Sequence, residues 1–144
     1  MATRTSPQAL ERFVDAQADV YRQALAELRG GAKRSHWMWF IFPQLAGLGR
    51  SPTAQFYAIA DEAEARAYLA HPVLGPRLGE CTDAMLGWAG RKSATAILGP
   101  VDAMKFASSM TLFDAVAGTP DNCFARALAA FSHGERDPLT LERL

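Results

Sequence analysis

Two stretches of the sequence combine charged, aromatic and hydroxyl side chains in a pattern typical of small-molecule sites. The first runs from Lys33 to Gln44 and the second from Asp102 to Thr111. Aromatic faces stack on planar ligands, and a neighbouring lysine or arginine can bind a phosphate group. The two stretches therefore predict one binding site, provided that the fold brings them together.

The first stretch places a cation and polar groups on both sides of an aromatic run. Lys33 precedes Ser35 and His36, and Gln44 follows the aromatic residues. We expect Lys33 to bind phosphate, with Ser35 and His36 beside it as further ligand contacts. Gln44 is expected to bind a polar edge of a base or sugar.

The aromatic residues allow two interpretations. Trp37 and Trp39, together with the more distant Tyr57, are candidates for the walls of a ligand pocket. The alternative is that the aromatic run simply builds the hydrophobic core. A core role explains the set less completely, because buried indole N–H groups need hydrogen-bond partners.

The second stretch carries charged and hydroxyl residues at helical spacing. Asp102, Lys105 and Ser109 lie at positions i, i+3 and i+7 and would share one helix face. Lys105 is expected to bind phosphate, and Ser108, Ser109 and Thr111 are expected to donate hydrogen bonds. The alternative is an ordinary surface ion pair between Asp102 and Lys105.

Hydrophobic periodicity and breaker residues predict one mainly helical domain, with an ordered core over about 8–134 and polar termini. The run at 37–42 follows neither a helical nor an alternating period, so a short strand or extended core segment is expected there. After Gly134 we expect a polar tail. Helices are predicted near 8–28, 52–60, 62–69, 73–88, 93–98, 101–116 and 121–131.

Composition narrows the classes of partner. The 144 residues suit a single domain, and 15 basic residues balance 15 acidic ones, which gives no bulk signal for nucleic-acid binding. No apolar run approaches the roughly 20 residues that cross a bilayer, so no membrane association is expected. Cys81 and Cys123 lack metal or redox spacing and suit a reduced, cytoplasmic protein. The three histidines are too scattered for a metal site, no cofactor is expected, and the oligomeric state stays open.

Almost the whole chain resembles the bacterial domain-of-unknown-function 1810 family. The resemblance rests on Lys-Arg-Ser-His-Trp-Met-Trp-Phe-Ile-Phe-Pro-Gln-Leu-Ala-Gly-Leu-Gly over 33–49 and on Ala67–Gly75. Asp102-Ala-Met-Lys105 and the following Ser108–Phe113 match as well. The resemblance implies a compact helical fold and brings no settled activity.

A second and more remote resemblance is to the NADAR superfamily, whose members cleave N-glycosidic bonds in ADP-ribose-linked or ribosylated compounds. It rests on Pro52–Tyr57 and on Lys105-Phe106. The family's acidic residue falls on Gln55, and a neutral amide cannot act as a general base. If the protein is an enzyme, Asp102 would therefore hold the water or ribose, with Lys105 beside it. This step is an analogy between folds.

Two functions from different classes follow. The first is binding of a phosphorylated nucleotide or ADP-ribose-like ligand, with N-glycosidic hydrolysis as the enzymatic form of that function. The alternative is a non-catalytic module that binds a partner protein through an exposed groove.

Overall fold

Helices provide the regular structure of residues 7–144, the part of the chain that the computed structural model describes, apart from an isolated parallel bridge between Leu45 and Ile59. This architecture confirms the predicted mainly α class. The helices are α1 Pro7–Ala18, α2 Tyr21–Arg29, α3 Met38–Ile41, α4 Pro52–Phe56, α5 Glu62–Ala70, α6 Leu74–Leu86, α7 Ala94–Leu98, α8 Pro100–Val116, α9 Cys123–Phe131 and α10 Pro138–Arg143.

Local capping fixes several helix starts where the sequence predicts them. The side chains of Ser51, Asp61 and Ser93 each accept a hydrogen bond from the backbone N–H three residues later. These bonds satisfy donors that have no partner within the helix. The last predicted helix starts slightly later than expected, because Asn122 provides the cap of α9.

The predicted helix over 8–28 is two helices, because the chain breaks at residues 19–20. α1 packs on α3, whereas α2 packs on α6. Gln17, the last buried residue of α1, donates through its side-chain amide to the backbone oxygen of Phe40 over 2.7 Å.

The strand or extended segment expected at 37–42 is instead the short helix α3. The N–H of Ile41 donates to the oxygen of Trp37, and that of Phe42 donates to the oxygen of Met38. A lone extended segment between helices would leave such buried backbone groups unpaired. The helical turn satisfies them and still buries Trp37, Met38 and Phe42.

The polar tail expected after Gly134 folds back and forms α10. Asp137 caps this helix, and Thr140 inside it is fully buried. α10 packs against α8. The segment after Gly134 is therefore part of the folded structure.

α8 is the central element, since α5, α7, α9 and α10 all pack against it. Its apolar residues meet the core on several sides: Phe106 contacts Phe42 edge to face, with ring centroids 4.9 Å apart, and Phe113 contacts Tyr68 at 5.3 Å. These contacts place the first turns of α8 beside the segment 33–44. Within residues 7–144, no helix combines the length and apolar character that crossing a membrane requires.

Candidate functional site

The buried carboxylate of Glu27 holds the start of the aromatic segment. Glu27 is 6% exposed. It accepts hydrogen bonds from the backbone N–H of Arg34 at 2.7 Å and of Ser35 at 3.0 Å. The Ser35 hydroxyl donates to it at 2.6 Å and the Trp37 indole N–H at 2.9 Å. This network fixes the backbone immediately after Lys33.

Glu27 stays ionised in this position. Burial raises the pKa of its carboxyl group, but the hydrogen bonds from Ser35, Arg34 and Gln23 outweigh that effect and lower the pKa to about 2. Glu27 was not among the residues predicted from the sequence to belong to the site. The available signal was a charged residue on the same face as Ala24 and Leu28 of a helix that is otherwise apolar there.

Charged side chains from the two stretches lie together in the structure. Lys33 belongs to the first stretch, and Asp102 and Lys105 belong to the second. The Lys33 ammonium lies 3.0 Å from one Asp102 carboxylate oxygen, and the Lys105 ammonium lies 3.9 Å from the other. The three side chains are 10%, 19% and 26% exposed in chain order. The Asp102–Lys105 pair is thus part of a three-residue charge cluster rather than an isolated surface ion pair.

Each lysine also lies over a tryptophan ring. The Lys33 ammonium is 5.1 Å from the ring centroid of Trp37, and that of Lys105 is 5.7 Å from the ring centroid of Trp39. Trp37 is a core residue with 1% exposure. Trp39 is only half-buried, and its indole N–H makes no hydrogen bond to the part of the chain that the structure describes.

A narrow crevice lies beside Lys105. Its lining includes Trp39, Gln44, Tyr57 and Lys105. Gln44 and Tyr57 are half-buried, and neither the Gln44 amide nor the Tyr57 hydroxyl is hydrogen-bonded to another residue within 7–144. Together with the Trp39 indole, these groups supply donors and acceptors that are open to solvent or to a ligand.

The crevice adjoins a larger cavity of about 430 Å³ that shares Gln44, Gly49 and Lys105 with it. The cavity lies between residues 44–49, the outer face of α8 from Val101 to Ser108, and residues 132–139. Its volume falls in the range of ligand pockets, about 300–1,000 Å³.

Asp137 anchors the C-terminal wall of this cavity. One of its carboxylate oxygens accepts hydrogen bonds from the Ser108 hydroxyl at 3.1 Å, from the Thr140 N–H at 3.1 Å and from the Thr140 hydroxyl at 2.6 Å. The Asp137 N–H donates to the Thr111 hydroxyl oxygen at 2.9 Å. Asp137 was not predicted from the sequence, because its partners on α8, Ser108 and Thr111, lie more than 25 positions away.

The remaining candidate residues lie away from the cavity lining. His36 is exposed, the Ser35 hydroxyl is engaged with Glu27, and the Thr111 hydroxyl is engaged with Asp137 and with the backbone oxygen of Ala107. Ser109 is fully buried and its hydroxyl has no hydrogen-bond partner among the described residues. Asp102 borders the lysines but lines neither the cavity nor the crevice.

Gln55 and the two cysteines lie outside this site. Gln55 is exposed and donates to the backbone oxygen of Arg50. Burial raises the pKa of the Cys81 thiol to about 12 and raises that of Cys123 as well, which keeps both thiols protonated at neutral pH. Across residues 7–144, no three His, Cys, Asp or Glu side chains are grouped so that they could hold a metal ion.

Comparison with known proteins places the chain in a family. Its structure is similar to the crystal structure of a conserved hypothetical protein from Mycobacterium tuberculosis, with a TM-score of 0.91 and 48% sequence identity, covering 96% of this chain and 98% of that one. No curated protein matches the sequence. The family described as protein of unknown function (DUF1810) matches residues 7–144, and the chain therefore belongs to the DUF1810 family.

Proposed function

We propose that this protein binds a phosphorylated nucleotide or an ADP-ribose-like ligand in the cavity beside α8. The observation that carries the proposal is the position of Lys105. Its side chain lines both the cavity and the crevice, lies over the half-buried ring of Trp39 and shares both linings with Gln44.

The charges around Lys105 favour an anionic group. Lys33 and Lys105 share the single carboxylate of Asp102, which leaves one excess positive charge in the cluster. Because Lys33 makes the shorter ion pair, the ammonium of Lys105 is the less neutralised of the two. A phosphate at the junction of cavity and crevice would pair with it and accept from the Trp39 indole and the Gln44 amide.

One part of the cavity lining is apolar and suits a flat ring, although Ser132, Glu135 and Arg136 also belong to the lining. Val101, Met104 and Leu139 belong to its lining and remain 65%, 73% and 56% exposed. Exposed apolar side chains at a cavity are typical of a surface that a ligand or partner covers. A nucleobase placed there would remove apolar area from water, which favours binding.

The role of Asp102 in this proposal is to position the lysines. Both of its oxygens face ammonium groups, and the residue lies outside the cavity lining. N-glycosidic hydrolysis with Asp102 as the working carboxylate stays a prediction. Incubation with NAD and ADP-ribosylated bases, followed by chromatography of the products, tests it directly.

The binding proposal is tested by calorimetric titration with AMP, ADP-ribose and NAD, using adenosine as the phosphate-free comparison. We expect the phosphorylated compounds to bind more tightly than adenosine. The Lys105→Met variant should weaken binding of AMP at least about tenfold, since a hydrogen bond to a charged group contributes about 1.5–3 kcal/mol.

The matched control is Arg22→Met, which removes one exposed positive charge from α2, outside the cavity. This variant should bind AMP as the unmodified protein does. The proposal is wrong if none of the phosphorylated compounds binds, or if Lys105→Met and Arg22→Met weaken binding equally.

A second candidate function is binding of a partner protein on the same face. The exposed side chains of Val101, Met104 and Leu139 favour it, because exposed apolar patches mark protein–protein contact sites as well as ligand-binding grooves. Lys105→Met separates the candidates: it should weaken binding of AMP, whereas an interface centred on these apolar side chains should keep its affinity for a partner protein.

A further inference from the structure

We infer that Lys33 acts through Asp102 to keep the ammonium of Lys105 available to the anionic ligand, without contacting that ligand itself. This role rests on the proposed function and makes Lys33 a positioning residue of the same site. It differs from the direct phosphate contact that the sequence predicts for Lys33. Lys33 belongs to the lining of neither the cavity nor the crevice, whereas Lys105 belongs to both.

The side chain of Lys33 is packed between a carboxylate and an aromatic ring. Its ammonium lies 3.0 Å from Oδ2 of Asp102 and 5.1 Å from the ring centroid of the buried Trp37. The backbone N–H of Lys33 donates to the oxygen of Ile97 at 2.8 Å. With only 10% of its side chain exposed, Lys33 has little surface to offer to a ligand.

The carboxylate of Asp102 is divided unequally between two lysines. Oδ2 faces Lys33 at 3.0 Å, whereas Oδ1 lies 3.9 Å from the ammonium of Lys105. Within residues 7–144, no other carboxylate forms an ion pair with either ammonium. Because Coulomb attraction grows at shorter distance and with the exclusion of water, the nearer and more buried Lys33 neutralises most of the charge of Asp102.

Removal of Lys33 would leave Asp102 with Lys105 as its one ion-pair partner in the cluster. The net charge of the cluster would fall from one positive charge to zero, and the carboxylate would compete with a phosphate for Lys105. A second substitution, Asp102→Asn, would remove that competitor and return the net charge to one. An anion should therefore lose affinity in the first variant and regain it in the second, which a direct contact between Lys33 and phosphate would not produce.

The test is calorimetric titration of AMP into the unmodified protein and its variants. Lys33→Met should weaken AMP binding at least about fivefold, the order expected for one unit charge acting across several ångströms near a protein surface. The double variant Lys33→Met/Asp102→Asn should recover most of that loss. Lys33→Arg keeps the positive charge beside Asp102 and should retain AMP binding.

Two controls separate this charge effect from a general loss of structure. Adenosine lacks the phosphate, so Lys33→Met should bind it as the unmodified protein does. Lys92→Met removes another lysine that lies over a tryptophan ring, 5.3 Å from the centroid of Trp88, and Lys92 belongs to neither lining. This variant should bind AMP with unchanged affinity.

Unchanged AMP affinity in Lys33→Met would overturn the inference. A loss that Asp102→Asn does not recover would also overturn it, because Lys33 would then contact the phosphate directly. If Lys33→Met does not fold, Lys33→Gln decides in its place, since it removes the same charge and its amide can still donate to Asp102. Failure of AMP to bind the unmodified protein would instead reject the proposed function.

Discussion

Three carboxylates hold the segments that form this site. Glu27 fixes the segment that carries Lys33, Asp102 joins Lys33 to Lys105, and Asp137 fixes the C-terminal wall. Each is surrounded by donors that satisfy a buried or half-buried charge, which would otherwise be costly to remove from water.

The sequence predicts only part of this residue-level organisation. Lys105 and Asp102 stand out because their helical spacing is local. Glu27 does not, because most of its donors lie seven to ten positions away beyond the end of its helix, and Asp137 does not, because its bond from Ser108 joins residues 29 positions apart. The same limit explains Ser108 and Thr111: they were expected to bind a ligand, and their hydroxyls bind Asp137.

Glu27 should make stability depend on acid pH. Its pKa falls from the usual 4.5 to about 2 on folding, so its contribution is fully present above about pH 4.5 and is lost as the pH falls toward 2. Glu27→Gln removes the charge that five hydrogen bonds share and should cost about 2–4 kcal/mol at pH 7.

Urea unfolding at pH 7 and at pH 3 checks this expectation. The difference in free energy of unfolding between the unmodified protein and Glu27→Gln should be smaller at pH 3, because the unmodified protein has then lost part of the same contribution. If the difference in free energy of unfolding is equal at pH 7 and pH 3, the pKa of Glu27 is not lowered on folding.

At the scale of elements, the capped helix starts and the breaks at Pro72 and Gly99 were predictable, whereas the break at residues 19–20 was not. Ser51, Asp61 and Ser93 cap their helices through bonds that span three residues, so the sequence contains the whole interaction. The break between α1 and α2, the helical turn of α3 and the presence of α10 depend on tertiary contacts. Local propensity carries no information about those contacts.

Two glycines in the first half of α6 differ in the space that surrounds them. A Cβ on Gly75 would clash with the backbone oxygen of Leu69, whereas a Cβ on Gly79, one turn later in α6, would meet nothing within 4 Å. Gly75→Ala should therefore destabilise the protein by about 2 kcal/mol or more, as overpacking against backbone does.

Gly79→Ala is the matched control, and it should leave stability unchanged or raise it by up to about 1 kcal/mol through higher helix propensity. Chemical denaturation of both variants measures the contrast. Similar stabilities for the two variants would contradict the close approach of Leu69 to the start of α6.

At the scale of the whole molecule, α8 connects the fold to the proposed function. It packs on four other helices and at the same time supplies Lys105, Met104 and Ser108 to the cavity. The C-terminal segment closes the cavity from the other side, since Asp137 and Leu139 belong to its lining. A mainly helical class could be predicted from hydrophobic periodicity, but this enclosure could not, because the sequence after Gly134 is too polar to indicate a packed helix.

The three tryptophans allow the most direct test of the central claim that a ligand occupies the junction beside Lys105. The indole N–H of Trp37 donates to Glu27 and that of Trp88 donates to the backbone oxygen of Leu28, whereas that of Trp39 has no partner in residues 7–144. The measurement is the set of indole N–H resonances in a ¹⁵N–¹H correlation spectrum during titration with ADP-ribose, with Trp39→Phe assigning the Trp39 peak. If ADP-ribose binds beside Lys105, the Trp39 resonance shifts while those of Trp37 and Trp88 stay in place. Saturation of binding with the Trp39 resonance unmoved, or no binding at all, would contradict the claim.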